Sequence, residues 1–148
     1  MFSKTCEYGI KALIFVAMQS GLQKRVSLND IAEEINSPVS FTAKILQNLV
    51  KSGLLKSLKG PTGGFVIDEL MAEEITLSRI VSAIDGDAVY KGCGLGLDNC
   101  DEDKPCPVHH KFKVVRDELR EMLERTTLKE LTIGIHDGLT FLSRKELE

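Results

Sequence analysis

With 148 residues, 43% hydrophobic and 28% charged, the chain has the composition of a folded globular protein with one or two small cores, which excludes a disordered tail. No run approaches the roughly 18 uninterrupted apolar residues of a membrane span, and Ile10 to Met18 carries Lys11 inside and runs into Gln19, unlike a secretory signal, so a cytoplasmic location without membrane attachment is expected. The net charge of −3 is unevenly placed: residues 1–67 hold eight Lys and Arg against four acids, a balance of +4 that leaves −7 for the remainder, so the front half is suited to a polyanion and the back half to another task.

Between Thr5 and Gln19, the residues Ile10, Leu13, Ile14, Ala17 and Met18 recur at spacings of three and four, the period of one helix face, and Gly21 ends the pattern. Ser27 is a suitable N-cap for a short helix with Leu28, Ile31, Ala32 and Ile35 inside. Ser37-Pro38 reads as an N-cap followed by proline at the first helical position, opening a third helix to Ser52 that Gly53 closes. Its predicted buried face is Phe41, Ile45, Leu46 and Leu49. Two short helices across a tight turn match the helix-turn-helix pattern. Leu54 to Leu58 then reads as a strand, Gly60-Pro61-Thr62-Gly63-Gly64 as a turn and Phe65-Val66-Ile67 as the returning strand, a hairpin in the place of a wing. On this pattern alone, an unrelated helical domain with one surface hairpin stays open.

Thr76 caps a further helix with Leu77, Ile80, Val81 and Ile84 inside, stopped at Gly86. Asp87 to Pro107 has no sustained period and carries Gly92, Gly94 and Gly96 together with Cys93, Cys100 and Cys106. A loop of about 20 residues is unusual in a compact domain unless it has a task. From Val108 a helical stripe returns through Phe112, Val115, Leu119, Met122 and Leu123. This long helix is expected to pair with its copy in a second subunit, with packing onto its own domain as the alternative. Thr127 and Glu130 form a capping box for a last helix through Leu131 and Ile135. The expected fold class is mainly α, a winged helix-turn-helix with a small β wing and a long C-terminal dimerisation helix. It divides into a DNA-binding domain over 1–86, a cysteine-rich loop over 87–107 and the two C-terminal helices over 108–148.

Docked in a major groove, the third helix would present Ser40, Ala43, Lys44, Gln47 and Asn48. Gln47 and Asn48 suit base edges, whereas Lys44 and Lys51 suit phosphates. The wing offers Lys59 beside Gly63 and Gly64, whose missing side chains let the backbone approach the sugar-phosphate chain.

In a reducing cytoplasm, cysteines point to metal binding or redox sensing more than to structural disulfides. Cys93-x6-Cys100-x5-Cys106 lacks the Cys-x2-Cys knuckle of most zinc fingers, and three thiolates on a loop suit an iron–sulfur cluster, which commonly takes a fourth ligand. His109 and His110 follow closely, and Glu7 or Cys6 could come from the first helix of a partner chain. Free buried cysteines, a zinc site of three thiolates and a histidine, and a reversible disulfide are the alternatives. The absence of a Cys-x2-Cys pair, phosphate loop or dinucleotide fingerprint sets an enzyme such as a thiol oxidoreductase aside.

The runs Glu7-Tyr8-Gly9-Ile10-Lys11-Ala12-Leu13, Val26-Ser27-Leu28-Asn29-Asp30-Ile31-Ala32, Ser37-Pro38-Val39-Ser40-Phe41, Lys59-Gly60-Pro61-Thr62-Gly63-Gly64-Phe65 and Glu74-Ile75-Thr76-Leu77, with the three-cysteine loop, give a specific signature. Over nearly its whole length the chain resembles the IscR/NsrR-type regulators, the Rrf2 family of winged-helix transcription factors. The resemblance implies a homodimer that binds a palindromic promoter site in double-stranded DNA as a repressor. It also implies one iron–sulfur cluster per subunit, two-iron or four-iron, reporting redox state, nitric oxide or iron–sulfur status. The family's three cysteine ligands carry over to Cys93, Cys100 and Cys106. The fourth ligand carries over to His109, three positions after the last cysteine, or to Glu7 of the partner's first helix, with Glu7 preferred. Two departures stand out: the gap between Cys93 and Cys100 is one residue longer than usual, and Ala43 stands where some relatives carry an acidic base-reading group, so a different DNA sequence is expected. A cluster-free winged-helix regulator using the cysteines as a thiol or zinc switch is the alternative function.

Overall fold

Ser3 opens the first helix, α1 (Lys4–Gly21), by accepting a hydrogen bond from Cys6 N at 3.0 Å. This computed structural model describes residues 1–143, so the last five residues of the predicted C-terminal segment lie outside the described residues. The three-and-four spacing in α1 buries Leu13, Ile14 and Val16. Ser27 caps α2 (Leu28–Glu34) in a reciprocal box with Asp30, each side chain accepting the other's backbone N–H.

The next helix, α3 (Val39–Lys51), departs from the sequence pattern at its start and along its buried face. Pro38 takes the capping position and no side chain caps it, so Ser37 is not the N-cap. Ser37 instead gives its N–H to Ala32 O at 3.0 Å and turns its hydroxyl inward, where it has no partner among the described residues. The buried face is Thr42, Ile45, Leu46 and Leu49, while Phe41 sits at the rim, edge-on to Tyr8 with ring centroids 5.9 Å apart. Thr42 can occupy the interior because its hydroxyl donates to Pro38 O at 2.9 Å. Gly53, at φ +75°, closes the helix in the left-handed conformation as the pattern requires.

Strands β1 (Lys56–Leu58) and β2 (Gly64–Val66) pair antiparallel with Lys56 opposite Val66. They are shorter than the apolar pattern, because Leu54, Leu55 and Ile67 belong to the core beneath the hairpin. Val26 bridges Phe65 from the other side, with Phe65 N donating to Val26 O at 2.8 Å.

A helix missing from the sequence reading follows, α4 (Glu69–Glu74), capped where Asp68 Oδ1 accepts from Met71 N at 2.8 Å. Thr76 caps α5 (Leu77–Asp85), and Gly86 ends it at φ +74°. One helical turn, α6 (Ala88–Lys91), lies inside the predicted loop. The last two helices are α7 (His109–Arg125) and α8 (Leu128–His136), with Thr127 Oγ1 accepting from Glu130 N at 3.2 Å.

Helix α7 packs on its own domain along one face and leaves part of the predicted apolar stripe uncovered. His109, Arg116 and Leu123, seven residues apart, are buried as α7 packs on α5 and α6, whereas Val114, Val115 and Met122 stay exposed. The predicted stripe is therefore split, with Leu119 and Leu123 joining the domain's own core. That core runs without a break from Leu13 through Leu46, Leu49 and Ile80 to Leu123 and Leu128. Backbone bonds from Leu77 N to Thr126 O at 2.9 Å and from Leu128 N to Ile75 O at 2.8 Å clasp the two halves together. Among the described residues, no helix is long and apolar enough to cross a membrane.

Candidate DNA-reading face and cysteine loop

The outer face of α3 carries Ser40, Lys44, Gln47 and Lys51 in the open, with Ala43 half-buried between them. Asn48 differs from its sequence reading: its amide donates to Ala83 O of α5 at 3.1 Å, which commits that N–H away from base edges. Between α3 and the wing lies a cleft of about 560 Å³ lined by Gln47, Val50, Lys51, Ser57 and Phe65, so the helix and hairpin form one continuous surface. Lys59 is exposed at the wing. Both wing glycines are required by the hairpin itself. A Cβ on Gly64, at φ +141°, would stand 2.8 Å from Val26 O, and one on Gly63 would run into the Leu58 carbonyl. Arg25, which the sequence reading did not single out, donates through Nη1 to Thr62 O at 2.6 Å and pins the wing turn. No sequence signal marked it, because its acceptor is a backbone carbonyl 37 residues away.

The cysteine loop starts where α6 ends and finishes at the head of α7. Cys93 accepts from Leu95 N at 3.4 Å, and this bond, with further backbone N–H groups and a contact to Cys106, holds the Cys93 thiol below its ordinary pKa. Cys100 Sγ lies 3.4 Å from His109 Nδ1, and His109 N donates to Cys106 O at 3.0 Å. Among these donors, Cys100 and His109 thus stand as a neighbouring pair. Among the described residues, no three His, Cys, Asp or Glu side chains converge into a ready metal cage. All three thiols are partly accessible.

Glu7 and Cys6 belong to a different neighbourhood. Glu7 is half-exposed and pairs with Lys4 at 3.4 Å on α1. Cys6 is fully buried, and burial, reinforced by the negative charge of Asp85, pushes its thiol up to about 12. A thiol so hard to deprotonate is a poor metal ligand.

Residues 2–133 match the family model of Rrf2, described as an iron-dependent transcriptional regulator. The chain belongs to the Rrf2 family. It is similar to the HTH-type transcriptional regulator IscR of Pectobacterium carotovorum, at 30% identity over 124 residues that cover 84% of this chain and 74% of the other. Among solved structures, CymR, the global cysteine regulator of B. subtilis, superposes with a TM-score of 0.74 at 26% identity, covering 90% of this chain and 96% of that one. The oxidized form of Staphylococcus aureus CymR gives 0.69 at 29% identity, with coverage of 89% and 95%. This Rrf2 protein is accordingly a DNA-binding transcriptional regulator built on a winged helix, and not an enzyme.

Proposed function

We propose that this Rrf2 regulator acts as a homodimeric repressor on a palindromic site in double-stranded DNA and holds an iron–sulfur cluster in its cysteine loop. The observation that carries this reading is the donor set: three part-accessible thiols on the one loop that leads into α7, with the buried His109 beside Cys100 at its head and Cys93 already biased toward the thiolate. Thiolates and an imidazole are the donors iron–sulfur centres take. Cys93, Cys100, Cys106 and His109 would hold the cluster. Glu7 would serve only across a dimer, from a partner's α1. A bound cluster would supply a centre sensitive to redox state, nitric oxide or iron–sulfur supply.

The DNA side follows from the exposed groups. Gln47 and Ser40 reach base edges, while Lys44, Lys51 and Lys59 meet phosphates. The uncovered Val114, Val115 and Met122 of α7 become buried against a second copy, placing two reading heads on the two half-sites.

A second reading is favoured by the placement of Cys93 and Cys106 as free, part-accessible thiols on the same loop, supported by the relative of known structure whose oxidized form has been crystallised. Here a peroxide oxidises the two thiols: a sulfur–sulfur bond forms, two protons and two electrons leave, and the peroxide is reduced to water.

An anaerobic visible spectrum with iron and sulfide quantified per chain separates the two. Visible absorbance with matching iron and sulfide supports the cluster, and the ratio gives its nuclearity. A colourless protein that takes up no reconstituted cluster, yet loses two free thiols to peroxide, supports the disulfide switch.

A further inference from the structure

The segment after α5 is fastened by part-buried polar contacts that local packing alone does not require. Arg116, itself buried on α7, donates through Nη1 to Gly92 O at 2.9 Å, one residue before Cys93. Arg120 Nη2 donates to Tyr90 O at 2.7 Å, with its guanidinium 5.5 Å from the Tyr90 ring centroid. The Tyr90 hydroxyl in turn lies 2.5 Å from Ser82 Oγ of α5 and donates to Asp87 Oδ1 at 2.8 Å, and Ser82 Oγ donates to the same oxygen at 2.6 Å. The next residue after Ser82 is Ala83, whose carbonyl accepts the Asn48 amide of the recognition helix α3. Nothing in reading DNA requires Asn48 to face α5. The bond has a purpose if α5 sets where α3 sits.

We propose that these contacts form a relay, from the cysteine loop through Gly92 and Tyr90 to Ser82 and Ala83 of α5 and then to Asn48, by which the state of the loop adjusts the placement of the recognition helix. This rests on the reading that the loop is the sensor, though not on which chemistry the loop senses. A change at Cys93 shifts Gly92 and the turn of α6, and the triangle of Ser82, Asp87 and Tyr90 passes that shift to the C-terminal turn of α5. Asn48 is then a positioning residue that acts through α5 and carries no sequence information of its own. The contacts supply a contiguous route; coupling along it is what has to be measured.

The test uses the full chain and a duplex that the wild type selects from a random pool. Affinity is measured for the free-thiol form, the form loaded with iron and sulfide, and the form whose loop thiols are alkylated by iodoacetamide. Amide hydrogen exchange across residues 43–51 is recorded for each. The same series is run for Asn48→Ala, Tyr90→Phe and the double variant, with thermal melting as a check on folding. In the wild type, changing the loop state is expected to alter affinity by roughly 5- to 150-fold, the usual span of coupling between sites. Each single variant should shrink that ratio at least several-fold and uncouple exchange in α3 from the loop, with little further loss in the double variant because both act on one route. A ratio preserved in Asn48→Ala while affinity falls equally in all forms would overturn the relay and return Asn48 to a direct DNA contact. Wild-type affinity indifferent to alkylation and loading alike would overturn it too. Iron content judges the cluster reading separately: an iron-free protein whose alkylated form still shows the coupling removes the cluster and keeps the relay.

Discussion

Cys100 Sγ and His109 Nδ1 approach to 3.4 Å across the junction between the cysteine loop and the first turn of α7. This contact places a nitrogen donor beside the loop thiols within a single chain, which Glu7 on α1 does not match. His109→Ala is therefore expected to release iron roughly tenfold or more faster than wild type in a chelator challenge, the scale on which even supporting residues of metal sites act. Glu7→Ala should match wild type. Full iron retention in the histidine variant with loss in the glutamate variant would reverse the assignment and require a ligand from the partner chain.

The four cysteines should react in a fixed order. Cys93, held toward its thiolate by the Leu95 N–H, is expected to be alkylated first at neutral pH, and buried Cys6 only on unfolding. Mass spectrometry of peptides after timed iodoacetamide treatment reads this directly. Cys6 also has a consequence for alkaline stability. Its thiol titrates near 9.0 when unfolded and is pushed to about 12 in the fold, so its contribution is intact below pH 9 and is lost as pH rises toward 12. Cys6→Ala should flatten the alkaline limb of the stability profile; an unchanged limb would assign it to another group.

On the DNA face, charge and base reading should separate. Lys44→Ala and Lys51→Ala are each expected to lower affinity for all sequences and to reduce the slope of log affinity against log salt by about 1. Gln47→Ala should leave the slope alone and cost about 1–3 kcal/mol on the selected site only. Titrations at several salt concentrations distinguish these patterns, and an unchanged slope in both lysine variants would move the phosphate contacts elsewhere.

The wing should be intolerant at Gly64. A side chain there meets the Val26 carbonyl at 2.8 Å in a backbone conformation that L-residues rarely adopt. Gly64→Ala is expected to destabilise the protein by about 1–3 kcal/mol and to weaken DNA binding through a misplaced hairpin. A melt and an affinity both equal to wild type would mean that the hairpin relaxes freely.

Much of this architecture was legible from periodicity, because α1, α2, α5 and α8 each have a capping side chain and an apolar face at helical spacing. The misses have local causes. Phe41 outranks Thr42 on hydrophobicity, yet the threonine hydroxyl is satisfied within its own helix and the phenyl ring finds Tyr8 instead. Helix α4 is only six residues long and exposes Leu70, so it has no clear stripe, although Asp68 was a visible cap. The partner of Asn48 is 35 residues away and is a backbone carbonyl, which no side-chain pattern reveals. Arg116 is a cation on the buried face of α7 that it shares with Leu123, where a charge is not expected, and its acceptor is likewise a carbonyl. In the cysteine loop, the ligand candidates were readable from residue type and spacing, but the approach of Cys100 to His109 depends on how the loop folds.

The clasp between residues 75–77 and 126–128 also constrains how the protein comes into being. Helix α1 packs against α8, and Leu128 sits fully buried in the same core as Leu13. During synthesis, the reading head therefore emerges from the ribosome well before the surface that completes its packing, and the first helix waits for the last to close over it. Products of interrupted translation that stop before α8 carry all of α3 and the hairpin yet lack the finished core beneath them.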